Sequence, residues 1–267
     1  MKEVLFKGGV NVKDNITYMC KLSSELTESE KNSFIDVFNL VFETSYNLEW
    51  FNWKYIDNIY GDSYIVLAYY QDKIVGIRSF WRNDIQGYLC YQPCDTAVLK
   101  EFRGMGIFSK MSLIALEKTK EACIYNYPNQ NSLPGNLKLG WEINKYCYLK
   151  PVFRKKKLSQ DCKLIKDHYL VGKFGKCPIN KYYYYEIDGQ SYLLYRRKNN
   201  IYYVLGRFSS KFNGYFTQAS LPILFNYTTE ETIIYKIFKN RATIVSFQRE
   251  NQDISKIDIP MFKADFF

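Results

Sequence analysis

The chain has 267 residues, a formal net charge of +10 and 47% hydrophobic residues, which suffices for one large or two small domains with hydrophobic cores. Its seven cysteines include no CxxC pair and accompany a single histidine, so no tetrahedral zinc site can be assembled and no metal is expected. No apolar run reaches about twenty residues, which predicts a cytoplasmic, reduced protein without a membrane partner. The positive charge suits a polyanionic ligand, but the basic residues are scattered, with one run at 154–157, so nucleic acid is not expected as a partner.

The N-terminal region predicts a strand followed by an amphipathic helix. Residues 1–14 resemble a loosely ordered lead-in, and residues 16–22 form the first predicted strand. Thr27 and Glu30 have the spacing of a capping box, which predicts a helix start at this point. The apolar residues of that helix share one face: Phe34, Val37, Phe38, Val41 and Phe42.

An aromatic stretch and three strands follow. Residues 48–59 are predicted to be helical or irregular, and their residues Trp50 and Trp53 fit core packing better than an acceptor-binding wall. Residues 63–70 and 73–81 predict a hairpin around Gln71-Asp72, and residues 88–99 predict a central strand.

The central strand leads into a glycine corner. Arg103-Gly-Met-Gly106 separates it from a helical pattern whose apolar residues recur every three or four positions. Unpaired N–H groups at a helix start, two glycines and an arginine together predict an anion site. An ordinary turn with a helix cap would also explain this pattern. The segment is neither a Walker loop, since no Gly-Lys-Ser/Thr follows, nor a Rossmann fingerprint, since the third glycine is missing.

A second motif lies further along, after the helix and a predicted strand at 122–127. Asn129 and Ser132 precede a Gly140-Trp141 pair, which stands eleven and twelve residues after the asparagine. With Val98 and the glycine corner before it, this order resembles the GNAT superfamily of acyl-CoA N-acyltransferases, over roughly residues 15–150. The resemblance implies an α+β fold, an α/β/α sandwich around a mixed, mostly antiparallel sheet. It also implies acetyl-CoA as the acyl donor.

The resemblance assigns site residues one by one. Ala97 and Val98 would hold the pantetheine arm through their backbone, with the Val98 N–H as a catalytic donor near the thioester oxygen. Asn129 would fix the pantetheine or the diverging strand, and Ser132 of the same motif is also assigned to cofactor binding. The pyrophosphate would be bound by the corner and the helix start: Arg103, Gly104, Met105, Gly106, Ile107, Phe108 and Ser109.

The acid and the base are less well indicated. The family's tyrosine acid would stand at Asn136, which cannot supply a proton, so Tyr146, Tyr148, a cysteine or solvent remain as replacements. Asp95 is the carboxylate nearest the reactive end of the strand and is the predicted catalytic base, although an ordinary strand-end carboxylate explains it equally well. The terminal carboxylate of Phe267 is a further candidate.

The last third of the chain predicts a second set of elements. Residues 154–166 resemble a linker, after which a meander, a helix starting from a capping box at Thr228 to Glu231, and strands at 242–248 and 257–267 are predicted. This repeats the earlier element order without a glycine corner. We therefore expect a GNAT domain at 1–150 and a C-terminal α+β domain at 151–267, interpreted as a degenerate GNAT-like half.

Together these features predict transfer of an acetyl group from acetyl-CoA to a primary amine of a small polar acceptor, such as an amino-sugar nucleotide. A FemAB-like aminoacyl transferase is an alternative, although it would not need the pyrophosphate corner. A CoA-binding or peptide-binding module without catalysis is another, and Asn136 supports it.

Overall fold

The computed structural model describes residues 15–153, 158, 162–249 and 257–265. One mixed sheet of twelve strands, mostly antiparallel, runs through this part of the chain. The strands are β1 Ile16–Leu22, β2 Tyr64–Tyr70, β3 Lys73–Arg82, β4 Cys90–Val98, β5 Cys123–Asn126, β6 Trp141–Pro151, β7 Tyr182–Ile187, β8 Gln190–Lys198, β9 Ile201–Phe208, β10 Thr217–Gln218, β11 Ile223–Thr228 and β12 Arg241–Phe247. The helices are α1 Glu28–Phe42, α2 Leu48–Phe51, α3 Ile107–Lys118, α4 Leu133–Lys138, α5 Asp167–Tyr169 and α6 Ile233–Phe238.

The predicted capping box starts α1. The Thr27 hydroxyl accepts from the Glu30 N–H at 3.2 Å, and the Glu30 carboxylate accepts from the Thr27 N–H at 2.8 Å. The helix then buries Phe34 and Phe38 against one face of the sheet. Helix α3 packs on the opposite face, where Met111 is fully buried. The first half is therefore the expected α/β/α sandwich.

Strands β4 and β5 stay together only briefly. They pair in parallel at Cys90–Cys123 and Tyr91–Ile124 and then diverge. Further along β4, two residues, Asp95 and Thr96, stand opposite the single residue Arg78 of β3, because the register shifts there. This β-bulge bends β4 at the point where the two strands separate. The short pairing of β4 with β5 and the bulge in β4 together open the sheet at this point.

The two halves of the chain exchange a strand. The sheet order is β1-β2-β3-β4-β5-β12-β6-β11-β9-β8-β7-β10, so β12 lies between β5 and β6. Strand β6 pairs antiparallel with both β12 and β11, and β11 is parallel to β9 as β5 is to β4. The order β4, β5, α4, β6 thus reappears as β9, β11, α6, β12. The domain boundary at residue 150 remains a prediction, and β6 crosses it.

Several C-terminal predictions need correction. Helix α6 begins at Ile233, with Thr232 as its N-cap, because Thr228 is still paired in β11 with Tyr148. Three apolar side chains of α6 are largely exposed: Ile233, Ile237 and Phe238. The predicted strand at 257–267 is wrong for the described residues 257–265, where Met261–Lys263 forms a 3₁₀ turn.

The predicted linker at 154–166 is also partly wrong. Among its described residues, Leu158 and Ile165 are buried, and the Ile165 N–H donates to the Arg207 carbonyl at 2.8 Å. The lead-in at 1–14, the basic run at 154–157, residues 159–161 and Phe267 lie outside the described residues. Within the described chain, no helix is both long and apolar enough to cross a membrane.

Candidate active site

A cavity of about 290 Å³ opens where β4 and β5 diverge, and it reaches both faces of the sheet. On the side of α1 it is lined by Phe38, Asp95 and Asp265. On the side of α3 its lining includes Arg78 and Asn136. Because the bulge removes regular pairing at this point, side chains from both helical layers meet in one space.

Asp95 stands in the bulge of β4 with a left-handed backbone, at φ 45°. Aspartate tolerates this conformation better than most residues, since its short polar side chain bonds locally. Its carboxylate turns towards α1, where it accepts a very short hydrogen bond from the Tyr55 hydroxyl. The structure thus places Asp95 in the cavity, and its role as the catalytic base remains a prediction.

Lys54 links Asp95 to a second carboxylate that the sequence did not indicate. Its Nζ lies 2.8 Å from Asp95 Oδ2 and 2.5 Å from Asp265 Oδ1, and its side chain is 5% exposed. Lys54 and Tyr55 come from a π-helical turn, Asn52–Ile56, which continues α2 and aims both side chains inward. The Cys94 thiol and the two carboxylates lie within 4.8 Å of one another, but the Lys54 ammonium bonds both carboxylates and supplies the positive charge between them.

The charges of this group depend on one another. Burial raises the pKa of Asp95 above its ordinary value, and Asp265 adds to this effect, whereas Lys54 opposes it. Burial alone would lower the pKa of Lys54, but Asp265 and Asp95 raise it well above the usual range, so Lys54 stays an ammonium. Burial and the negative charge of Asp95 also raise the pKa of Tyr55, which keeps its proton and donates it in the hydrogen bond.

The segment 257–265 is fixed in the core, and this places Asp265. Lys173 donates to the carbonyls of Phe262 at 2.9 Å and Ala264 at 2.5 Å. In the amide orientation that satisfies both of its polar atoms, Gln92 donates from its nitrogen to the Lys263 carbonyl at 2.9 Å and accepts through its oxygen from the Asp265 N–H at 3.2 Å. The C-terminal third therefore supplies a residue to the cavity formed by β4 and β5.

At the predicted glycine corner, the backbone has positive φ angles and is open to a ligand. Gly104 and Gly106 have φ of 79° and 82°, and an added Cβ at either would meet nothing within 4 Å. Gly106 is the N-cap of α3 and offers no side chain to the first N–H groups of that helix, which are left for a ligand. Arg103 donates from Nε to the Val98 carbonyl at 3.0 Å, so the end of β4 and the corner are held together.

Other predicted residues of this region divide between the core and the surface. Ala97 and Ile107 are buried, Met105 and Phe108 are half-buried, and Ser109 is exposed. The Phe108 ring lies between α3 and α4, since a Cβ added at Gly135 would come within 2.9 Å of it.

The second motif organises the turn before α4. Asn129 Oδ1 accepts from the Ser132 N–H at 2.9 Å and from the Ser132 hydroxyl at 3.1 Å, and both residues line the cavity. Asn136 is fully buried on α4, and neither atom of its amide has a partner among the described residues.

The two tyrosines of β6 that were candidates for a replacement acid, Tyr146 and Tyr148, lie away from the cavity. Tyr146 stacks on Arg241, whose guanidinium carbon is 3.6 Å from the ring centre, and Tyr148 packs against Tyr235 at 4.8 Å. Neither lines the cavity at Asp95. Trp50 is buried in the core, as preferred on the sequence.

No family model and no curated protein matches the sequence. Among solved structures, a protein from Pyrococcus horikoshii that is assigned as an acetyltransferase superposes on this chain with a TM-score of 0.53 at 12% identity. The match covers 98% of this chain and 96% of that one. A GCN5-related N-acetyltransferase from Kribbella flavida gives 0.53 at 10% identity, over 86% of this chain and 71% of that one. A protein from Enterococcus faecalis V583 assigned as an N-acyltransferase superposes with a TM-score of 0.50 at 13% identity, covering 87% of this chain and 71% of that one. This chain thus has the fold of the GNAT superfamily of acyl-CoA N-acyltransferases.

Proposed function

We propose that the protein is a CoA-dependent acyltransferase that moves an acetyl group from acetyl-CoA to a primary amine of a small polar acceptor, such as an amino-sugar nucleotide. The observation that carries this proposal is the bulged β4, which diverges from β5 directly beside the open glycine corner. A thioester held along β4 would reach the cavity while its phosphates remain at the start of α3. The acceptor would then approach from the side of α1.

On the donor side, the backbone of the corner and the Arg103 guanidinium would bind the pyrophosphate. Among the described residues, Arg103 donates from Nε to the Val98 carbonyl, and its two terminal nitrogens are left to bind a ligand. Ala97 and Val98 would orient the acyl group through their backbone, and the Val98 N–H would stabilise the developing oxyanion.

On the acceptor side, Asp95 would take the proton from the attacking amine, directly or through water. Its raised pKa makes it a stronger base than an ordinary aspartate, and Lys54 and Tyr55 fix its carboxylate at the cavity. The nitrogen forms the new C–N bond, the C–S bond breaks, and the thiolate leaves. A thiolate is weakly basic and needs little help, which fits an amide in place of a phenol at Asn136.

The test is release of free thiol from acetyl-CoA in the presence of a panel of amines. Asp95→Asn should lower the rate by about a hundred-fold or more, and the loss should shrink at high pH, where the acceptor amine is already neutral. Asp258→Asn is the matched control, since its carboxylate pairs with surface lysines away from the cavity. Wild-type rates for Asp95→Asn from pH 6 to pH 9 would make Asp95 a structural residue.

A CoA-binding module without catalysis is the second candidate. It is favoured by Asn136, because an amide stands where the family's proton donor would be and bonds no described group. Calorimetric binding of CoA without thiol release for any amine would select this reading. The aminoacyl transferase alternative is less well supported, because the open corner would then have no pyrophosphate to bind.

A further inference from the structure

We propose that Arg78 and Asn136 form a subsite for a carboxylate inside the cavity between β4 and β5. The carboxylate would belong either to the transferred acyl group or to the amine acceptor. The assignment of these two sources rests on the proposed acyl transfer, whereas the subsite itself rests on the side chains described below.

Arg78 is a buried cation without a carboxylate partner in the part of the chain that the structure describes. Its residue is 2% exposed, and Nη1 donates to the Thr96 hydroxyl at 2.9 Å. Nε and Nη2 have no hydrogen-bond partner among the described residues. Burial lowers the pKa of Arg78 to about 10, which still leaves it charged at neutral pH. Buried guanidinium groups are normally paired, so the unpartnered Nε and Nη2 of a residue that lines the cavity call for an anion.

Two rings hold the guanidinium in place without satisfying its donors. Its central carbon lies 4.6 Å from the centre of the Phe108 ring and 5.5 Å from that of Phe80. Stacking of this kind fixes the plane of the fork and leaves its edge free. The same Phe108 ring touches Gly135, next to Asn136, so Arg78 and α4 meet across one side chain.

Asn136 completes the donor set. It is 0% exposed, lines the same cavity as Arg78, and its Nδ2 and Oδ1 both lack partners among the described residues. A carboxylate could accept two parallel bonds from the Arg78 fork and a third from Asn136 Nδ2. A neutral amide ligand would satisfy Asn136 but would leave the guanidinium without an anion.

The charge layout of the cavity agrees with this ligand. On the side of α1, Asp95 and Asp265 share the single ammonium of Lys54, so an approaching amine meets negative charge. On the side of α3, Arg78 is a positive group lining the cavity. A substrate pair with an amine at one end and a carboxylate at the other would match both ends.

The experiment compares matched probes by calorimetry and by thiol release. The acyl arm uses succinyl-CoA against acetyl-CoA, and the acceptor arm uses glycine and β-alanine against their amides. We expect the carboxylate probe of one arm to bind at least ten-fold more tightly than its neutral partner. Arg78→Met should remove this preference, while free CoA binds as in the wild type. Arg82→Met is the control, an arginine of the same strand that pairs with Asp84.

A second variant tests the subsite by adding a carboxylate to the protein itself. Asn136→Asp should place a carboxylate beside Arg78, raise the melting temperature and displace the carboxylate probes. Equal binding of carboxylate and neutral probes in both arms, or an unchanged preference in Arg78→Met, would overturn the proposal. Arg78-dependent binding of a carboxylate probe without CoA binding or thiol release would refute the acyl transfer and leave the subsite standing.

Discussion

Lys54→Met tests whether one buried ammonium holds the acidic side of the cavity together. Lys54 bonds two carboxylates at 2.8 and 2.5 Å, and methionine matches its length while removing its charge. Two opposite charges about 4 Å apart attract by roughly 4 kcal/mol at an effective dielectric constant near 20, and the cost of burying them offsets part of this. Removing the cation leaves two carboxylates facing each other. We expect a loss of roughly 3–5 kcal/mol in the free energy of unfolding at pH 7.

The loss should depend on pH in a defined direction. Without Lys54, the main group that opposes burial and Asp265 is lost, so the pKa of Asp95 in the folded protein rises further. A carboxyl whose pKa is raised on folding favours the folded state when protonated and disfavours it as the pH rises through the folded pKa. The variant should therefore lose less stability at pH 5 than at pH 7. Asp95→Asn in the same chain should restore part of the loss.

Urea unfolding of the full chain, followed by intrinsic fluorescence, measures these differences. Lys145→Met is the control, because its ion pair with Asp258 is exposed and should contribute at most about 1 kcal/mol. A loss in Lys54→Met no larger than in this control, or one that grows from pH 7 to pH 5, would refute the reasoning.

Three further outcomes are expected. Gly106→Val should weaken CoA binding by ten-fold or more in calorimetry, whereas Gly87→Val, at a similar φ of 87° in open space, should not. A 1–150 fragment lacks β12 and leaves the edges of β5 and β6 unpaired, so it should aggregate in size-exclusion chromatography; a soluble monomer that binds CoA would contradict this. Burial lowers the pKa of Lys173 to about 7, so above pH 7 the unfolded protein binds one more proton at this residue than the folded protein does. The free energy of unfolding should therefore rise by about 1.4 kcal/mol per pH unit above pH 7. Urea titrations at pH 7 and pH 9 should show that Lys173→Met loses this pH dependence.

The local signals in the sequence were reliable where the chain itself supplies the partners. The capping box of Thr27 and Glu30 starts α1, and the corner at Gly104 and Gly106 has the positive φ that glycine allows. Asp95 reached the cavity because its strand leads there. For the capping box and the glycine corner, the determining features lie within a few residues.

The residues that complete the cavity could not be found in this way. Lys54, Asp265 and Arg78 come from three distant segments, and none belongs to a motif. A lysine in an aromatic stretch or an arginine in a strand is usually solvated, so their burial depends on tertiary packing. One signal was available in the sequence: Arg78 interrupts the apolar run of β3.

The C-terminal errors have the same origin. Thr228 to Glu231 has the spacing of a capping box, but β11 continues through Thr228 because β6 offers it a partner. Residues 257–265 are apolar enough for a strand, yet the hydrogen bonds of Lys173 and Gln92 to their backbone hold them in another conformation. Strand pairing and buried polar contacts thus overrode local preference.

The exchange of strands connects these observations. A strand from near the end of the described chain, β12, pairs with β5 in the sheet, and Asp265 enters the cavity from the same third of the chain. The acidic side of the cavity therefore forms only when both halves are folded together. A second half without a glycine corner would then be retained for the strand and the carboxylate that it supplies to the first. Lys173 holds the backbone of residues 262–264 through two hydrogen bonds. By this reasoning, substituting Lys173 should disturb the acidic group at Asp95 and leave the glycine corner unchanged.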